Sequence, residues 1–93
     1  MLTLDAALHL PAHVVFTFVD QDAILLNTRT NKYYALDGAG ARLWELLKDG
    51  NRLREGYQTL LEEYEVEPAQ LEQDILELIN HLVEHGLVEK PEE

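Results

Sequence analysis

The sequence predicts an α+β domain in which a three-stranded antiparallel β-meander precedes three α-helices. Three observations support this fold class. Short runs rich in β-branched and aromatic residues fill the first part of the chain, polar turns separate them, and apolar residues with helical spacing fill the rest. A chain of 93 residues has room for one modest core, because a second domain of this size would expose too much surface to fold.

The three predicted strands are short and closely spaced. The first covers Val14 to Val19, and the second covers Ala23 to Asn27 after an Asp-Gln-Asp turn. A turn with asparagine at both ends, which suits a left-handed backbone, leads to the third strand, Lys32 to Leu36. Strands joined by tight turns pair in chain order, so the third strand is expected to lie at an edge of the sheet.

The hydrophobic period changes after the third strand, where Asp37-Gly38-Ala39-Gly40 is expected to turn the chain into a helix. The Asp37 side chain is expected to cap that helix, which is predicted from Ala41 to Leu47 with Trp44 as its core anchor. A second helix is predicted from Arg52 to Tyr64. Its expected buried residues are Leu53, Tyr57, Leu60, Leu61 and Tyr64.

The third predicted helix, Ala69 to His85, is the most regular segment of the chain. One apolar stripe is its candidate core face: Leu71, Ile75, Leu78 and Leu82. A second stripe lies roughly 60 to 120° further round the helix: Leu76, Ile79 and Val83. Either both stripes belong to the core, or the second contacts something else.

The two ends of the chain are expected to be peripheral. Residues 1–12 are predicted to be an arm that packs one or two apolar residues on a domain of residues 13–88, and residues 89–93 are predicted to fray. The N-terminus has no basic flank of the kind that signal peptides carry, and no apolar run approaches the roughly 20 residues of a membrane span. Together with the absence of cysteine, this favours a cytoplasmic location.

The net charge of −11 is concentrated in the last third of the chain. Residues 1–61 carry seven acids and six bases, whereas residues 62–93 carry eleven acids and one base. Such a field repels nucleic acid and anionic lipid. The predicted element order is winged-helix-like, which suggests a transcriptional regulator as one alternative. The third helix, however, has no lysine or arginine with which to enter a major groove.

Two short motifs are better explained by structure than by chemistry. His81-Leu82-Val83-Glu84-His85 matches the H-x-x-E-H zinc-peptidase pattern, but that site needs a third ligand and a cleft, and eight residues follow His85. The helical wheel places both histidines on the polar face, so solvated surface is expected. Gly38-Ala39-Gly40 lacks the third glycine and the lysine of a phosphate loop. No catalytic residue, metal or cofactor is predicted.

Several segments together resemble the PqqD-like family, whose members are the peptide-recognition elements of ribosomal natural-product biosynthesis. These segments are LLNTRTNKYYALDGAGARLWELLKDG, then Tyr64-Glu-Val, LEQDIL from Leu71 and LVEHGLV from Leu82, and they span about residues 13–88. The pattern YxALDxxGxRxWELL is most similar to the stand-alone recognition proteins of lasso-peptide pathways. In those pathways the maturation protease is split into a leader-binding protein and a separate cysteine protease.

The resemblance implies that a precursor's leader peptide adds as an antiparallel strand beside the third strand, in a groove walled by the third helix. A free strand edge suits this mode of binding. Tyr33 and Tyr34 point to opposite faces of the strand, so one of them is expected to face the groove. Asp74 and Glu77 are expected at the rim, near basic leader residues. The expected peptide-binding residues are Lys32, Tyr33, Tyr34, Ala35, Leu36, Asp74, Ile75, Leu76, Glu77, Ile79 and Val83.

The function that the resemblance implies is that of a non-catalytic adaptor without a cofactor. It would bind a lasso-peptide leader and present it to a cysteine protease and an asparagine-synthetase-like cyclase. An alternative is a PqqD-type peptide chaperone for another modifying enzyme, such as a radical SAM enzyme. No nucleic-acid or membrane partner is expected.

Overall fold

The computed structural model describes residues 2–90. In chain order, its elements are β1 (Val14–Val19), β2 (Asp22–Asn27), β3 (Lys32–Leu36), α1 (Gly38–Lys48), α2 (Leu53–Glu63) and α3 (Pro68–Glu84). The predicted α+β fold class is confirmed. The element bounds agree with the prediction to within one residue, except that α1 begins at Gly38 and not at Ala41.

The three strands form one antiparallel sheet in the order β1-β2-β3, so β1 and β3 are its two edges. Leu25 stands opposite Phe16 and Tyr34, whereas Leu26 stands opposite Val15 and Tyr33. Successive side chains of a strand alternate between faces. The fully buried Leu25 therefore marks the inner face of the sheet, and the half-buried Leu26 marks its outer face.

Helix α1 supplies the centre of the core. The Trp44 ring lies edge-on to Phe16 of the inner face, with ring centroids 5.6 Å apart, and Trp44 is 1% exposed. The expected side-chain cap at Asp37 is wrong, because the Asp37 side chain makes no cap hydrogen bond. Instead, its backbone carbonyl accepts from the amides of Gly40 and Ala41, at 3.0 and 3.3 Å.

Helix α2 packs closely on α1 through a glycine. A Cβ atom at Gly56 would lie 2.7 Å from Leu43 Cδ1, so the missing side chain lets the two helices approach. Leu53 and Leu60 are buried, as expected, and Tyr57 and Leu61 are half-buried. The expected burial of Tyr64 is wrong, since its side chain is 38% exposed. The extended backbone at Tyr64 ends the helix and removes its side chain from the apolar stripe.

Helix α3 begins at Pro68, where the Glu67 side chain accepts from the amides of Ala69 and Gln70 at 2.9 and 3.2 Å. Its buried residues are Leu71, Ile75, Ile79 and Leu82. The helix ends before Gly86, which has a φ of +72°. Among residues 2–90, no helix is both long and apolar enough to cross a membrane.

Both ends of the described chain join the core. Leu2 and Leu4 of the N-terminal arm are buried, as are Leu87 and Val88 after α3. The arm and the C-terminal segment meet in an antiparallel bridge between His9 and Glu89, whose two N–H···O hydrogen bonds are each 2.8 Å long. Glu89 is therefore held in place, contrary to the expected fraying, whereas residues 91–93 of that predicted tail lie outside the described residues.

Candidate functional site

Helix α3 runs antiparallel to the edge strand β3. At one end, Leu78 and Leu36 both lie beside Gly40: a Cβ atom at Gly40 would lie 3.5 Å from Leu78 Cδ2 and 3.8 Å from Leu36 Cβ. At the other end, Tyr34 Oη lies 3.1 Å from His85 Nδ1. We call the space between the free edge of β3 and this flank of α3 the β3–α3 groove.

Tyr34 is the tyrosine that faces the groove. Its pairing with Leu25 places it on the inner face, where it is half-buried and its ring centroid is 5.0 Å from that of His85. Tyr33 points to the outer face and is 71% exposed. The register of the sheet therefore decides between two residues that the sequence left equivalent.

The flank of α3 that faces β3 is not the predicted one. Ile79 is 0% and Ile75 3% exposed, so both belong to the core and support the helix from behind. At about 100° per residue, Leu76 lies about 160° and Val83 about 140° from Leu78 around the helix axis. The wall of the groove is therefore not formed by Leu76, Ile79 and Val83, contrary to the expectation. It is formed by Leu78 and by the residues that follow Leu78 on the same flank of α3.

Two histidines continue this wall toward the C-terminal end of α3. Leu78, His81 and His85 have i, i+3, i+7 spacing, which places them on one flank of a helix. The His81 and His85 rings are in edge-on contact, with centroids 4.4 Å apart. The sequence pattern predicts a core position for Leu78 and a solvated surface position for both histidines. Their spacing was a usable signal, but it did not tell which flank of α3 meets β3.

Two acids of α3 lie near the rim of the groove and are exposed. Asp74 is one helical turn before Leu78 on the same flank, and its carboxylate accepts from Gln70 Nε2 at 2.8 Å. Glu77 lies about 100° away from Leu78 around the axis. Asp74 is thus better placed than Glu77 to meet a bound chain.

At the end of the groove where α3 stops, two side chains hydrogen-bond to the backbone carbonyls that directly follow the helix. Asn27, the single buried polar residue among residues 2–90, donates from Nδ2 to the His85 carbonyl at 2.9 Å. His13 Nε2 lies 3.1 Å from the Gly86 carbonyl, which can only accept, so the ring nitrogen donates. These bonds tie the end of α3 to the residue before β1 and to the last residue of β2, Asn27, which pairs with Lys32 at the start of β3.

The outer face of the sheet is apolar and lacks a helical cover among residues 2–90. Val15, Leu26 and Tyr33 form one row across the three strands, and Thr17, Ile24 and Ala35 form the next. Val15 is 49% and Tyr33 71% exposed. An uncovered apolar surface of this kind is typical of a site where another protein binds.

The charged groups with shifted pKa values lie on the helices and the arm, away from the groove. Arg42 Nη2 contacts Glu63 at 2.8 Å and lowers the pKa of that carboxyl. Arg54 contacts Asp5 at 2.8 Å and lowers its pKa in the same way. Among residues 2–90, no three His, Cys, Asp or Glu side chains are grouped so that they could hold a metal ion.

Comparison with known proteins adds a family and two solved structures. The family described as coenzyme PQQ synthesis protein D (PqqD) matches residues 22–88. The structure described as TbiB1 in complex with the TbiA(beta) leader peptide is 30% identical, with a TM-score of 0.85 over 90% of this chain and 98% of that chain. Lasso peptide synthetase B1 complexed with the leader peptide is 30% identical, with a TM-score of 0.79 over 88% and 96%. No curated protein sequence matches.

Proposed function

The chain belongs to the PqqD family, and we propose that it binds the leader region of a ribosomally made precursor peptide of the lasso class by strand addition to β3. The observation that carries this proposal is the β3–α3 groove, in which the unpaired edge of β3 runs beside α3 and Leu36 and Leu78 both lie at Gly40. The two similar structures, each in complex with a leader peptide, support it.

Strand addition divides the recognition between backbone and side chains. The free amides and carbonyls of β3 bind the peptide backbone and give affinity with little sequence preference. Alternate peptide side chains then enter the groove, where they meet Tyr34, Leu36 and Leu78. The other side chains point outward beside Tyr33 and Ala35 and extend the outer face of the sheet.

Nine of the eleven residues expected from the sequence keep a role in this proposal, in three groups, whereas Leu76 and Val83 lie on the other flank of α3 and have none. The strand from Lys32 to Leu36 carries the peptide, and Asp74 and Glu77 act at the rim, where exposed charges change the association rate more than the affinity. Ile75 and Ile79 contribute only by positioning α3, because both are buried.

The chain then acts as a non-catalytic adaptor that presents the peptide to a separate cysteine protease and to an asparagine-synthetase-like cyclase. The apolar row of Val15, Leu26 and Tyr33 is the surface that we assign to the protease. It adjoins the added strand, so a protein bound there would contact the outward side chains of the leader at the same time. A Val15→Asp variant should bind the leader normally and lose the protease in a pull-down.

A second candidate is a peptide chaperone for another modifying enzyme, such as a radical SAM enzyme. The description of the matching family, coenzyme PQQ synthesis protein D, supports this candidate, because it names a pathway other than lasso-peptide synthesis. A chaperone of this kind would bind its peptide in the same β3–α3 groove, and only the enzyme that receives the peptide would differ. A pull-down with the enzymes encoded next to the chain separates the two, because each predicts a different captured protein.

Hydrogen exchange of backbone amides tests strand addition directly. The probe is a synthetic peptide of the leader encoded by the neighbouring precursor gene. Binding should slow the exchange of alternate amides within residues 32–36, because every second amide of an edge strand points outward and would gain a hydrogen-bond acceptor. The amides of the other edge, residues 14–19, serve as the internal control and should not change. A peptide that binds without slowing exchange in β3 would refute strand addition.

A further inference from the structure

A pocket lined mainly by residues with polar side chains lies at the end of the β3–α3 groove where β3 begins and α3 ends. It is a cavity of about 400 Å³ that is lined by residues of both elements and of the turn before β3, among them Arg29, Lys32, Tyr34 and His85. We infer that this pocket is a subsite for an acidic side chain of the bound peptide. The inference rests on the proposed function and adds to it a chemical preference at one position.

Among residues 2–90, four of the seven basic residues form no ion pair, and two of these four, Arg29 and Lys32, line this pocket, whereas Arg52 and Lys90 do not. Arg42, Lys48 and Arg54 each contact an acidic side chain at 2.8 to 3.0 Å. Arg29 and Lys32 contact none within 4.0 Å among residues 2–90, although the protein has 18 acids and a net charge of −11. Two cations that line one pocket and have no carboxylate partner among residues 2–90 are thus available to a ligand.

Neither of the two acids that also line the pocket, Glu84 and Glu89, lies within 4.0 Å of Arg29 or Lys32. Glu89 Oε1 lies 3.9 Å from His9 Nε2, on the side of the N-terminal arm. Glu84 lies one residue before His85 and thus about 100° away from it around α3. The backbone carbonyls at the end of α3 do not compete either, since Asn27 and His13 bind those of His85 and Gly86.

The donors of the pocket suit a carboxylate. An arginine guanidinium presents paired N–H groups that match the two carboxylate oxygens, and a lysine ammonium adds a point charge beside them. The Tyr34 hydroxyl, held by His85, is a third polar group at the same place. A neutral polar side chain would leave both charges unpaired.

The direction of the added strand fixes where the acid should stand in the peptide. An antiparallel partner of β3 runs from Leu36 toward Lys32, and Leu36, Tyr34 and Lys32 share the inner face. The acid is therefore expected four positions C-terminal to the peptide residue that stands opposite Leu36, a distance of about 13 Å along the strand.

A double-mutant cycle with the leader of the neighbouring precursor tests the subsite by isothermal titration calorimetry. One peptide has the acid at this position changed to its amide, and one protein variant combines Arg29→Gln with Lys32→Gln. Each change alone should weaken binding about fivefold to tenfold, the range for one or two exposed charge pairs. Both changes together should weaken it no more than either one.

Lys48→Gln is the matched control, because it removes one positive charge at the far end of α1 and should change affinity less than twofold. Independent, multiplying losses would overturn the subsite, as would a leader with no acid at the stated position. A wild-type protein that does not bind the leader at all would instead overturn the proposed function. Arg29 and Lys32 are exposed, so circular dichroism should show that all variants are folded.

Discussion

Tyr34 and His85 are hydrogen-bonded side chain to side chain, and this bond joins the edge strand β3 to the C-terminal end of α3 across 3.1 Å. The bond from Asn27 to the His85 carbonyl reinforces the same end. At the other end, Leu36 and Leu78 both lie beside Gly40. The groove is therefore shaped before a peptide enters it, which reduces the ordering cost of binding.

Tyr34→Phe removes the hydroxyl of this contact and keeps the ring. Because the bond is exposed, we expect a loss of stability of about 0.5 to 1 kcal/mol and a leader affinity about twofold to fivefold lower. Urea unfolding and calorimetric titration measure the two effects. Tyr33→Phe is the matched control, since the Tyr33 ring points to the outer face, and it should leave leader binding unchanged. Equal effects of both substitutions would contradict the assignment of Tyr34 to the groove.

Leu78→Asp should weaken leader binding strongly, because it places a charge on the apolar wall of the groove. The loss of one buried leucine contact is about 1.5 to 3 kcal/mol, or roughly 10-fold to 150-fold in affinity. Calorimetric titration of the leader peptide measures it. Leu76→Asp is the control, as Leu76 is also a half-buried leucine of α3 but lies on the opposite flank.

Substitutions at Leu78 and Leu76 test which flank of α3 forms the groove wall, whereas a substitution at Ile79 does not. Ile79 is fully buried, so Ile79→Asp should unfold the domain and would show nothing about the groove. If Leu76→Asp reduces the affinity of a folded protein more than Leu78→Asp does, the wall lies on the other flank and the site must be reassigned.

The sequence was sufficient to predict β3 and α3 but not the contact between them. The residues Lys32 to Leu36 could be bounded because a polar turn precedes them and the helical period follows them. The apolar spacing of α3 showed a wide apolar sector, yet the rotation of the helix against β3 depends on tertiary packing. The signal for that packing is divided between Leu36 and Gly40, which are close in the chain, and Leu78, which follows 38 residues after Gly40.

The bridge between His9 and Glu89 was missed for a related reason. Two hydrogen bonds between segments eighty residues apart leave no periodic pattern in either segment. The choice between Tyr33 and Tyr34 likewise needed the register of β2 against β3, since alternation along one strand gives two faces without naming the inner one.

Acid should destabilise the protein through Glu63 and Asp5. Arg42 and Arg54 lower the pKa of these carboxyls in the folded state, from ordinary values of 4.5 for Glu63 and 3.8 for Asp5. A lowered folded pKa gives stability that is present above the ordinary value and is lost as the pH falls through the folded value. We therefore expect the melting temperature to fall as the pH drops below about 4.5.

Glu63→Gln isolates the contribution of one pair to this acid sensitivity. The variant should melt at a lower temperature than the wild type at pH 7, and the difference should shrink as the pH falls below the ordinary carboxyl range. Glu62→Gln is the control, because Glu62 forms no ion pair among residues 2–90. A Glu63→Gln variant whose deficit persists at low pH would show that the pair with Arg42 is not its cause.

Gly86→Ala should disturb the end of α3 in two ways. A φ of +72° is strained for alanine by about 1 to 2 kcal/mol, and the new Cβ would lie 3.1 Å from Asn27 Nδ2, which holds the His85 carbonyl. Gly50→Ala is the matched control, since Gly50 has a φ of +95° but no atom within 4 Å of the added Cβ. Urea unfolding should show a larger loss for Gly86→Ala, and only that variant should bind the leader more weakly, because Asn27 fixes the spacing of the groove. Equal losses of stability and unchanged binding would show that the contact with Asn27 does not shape the site.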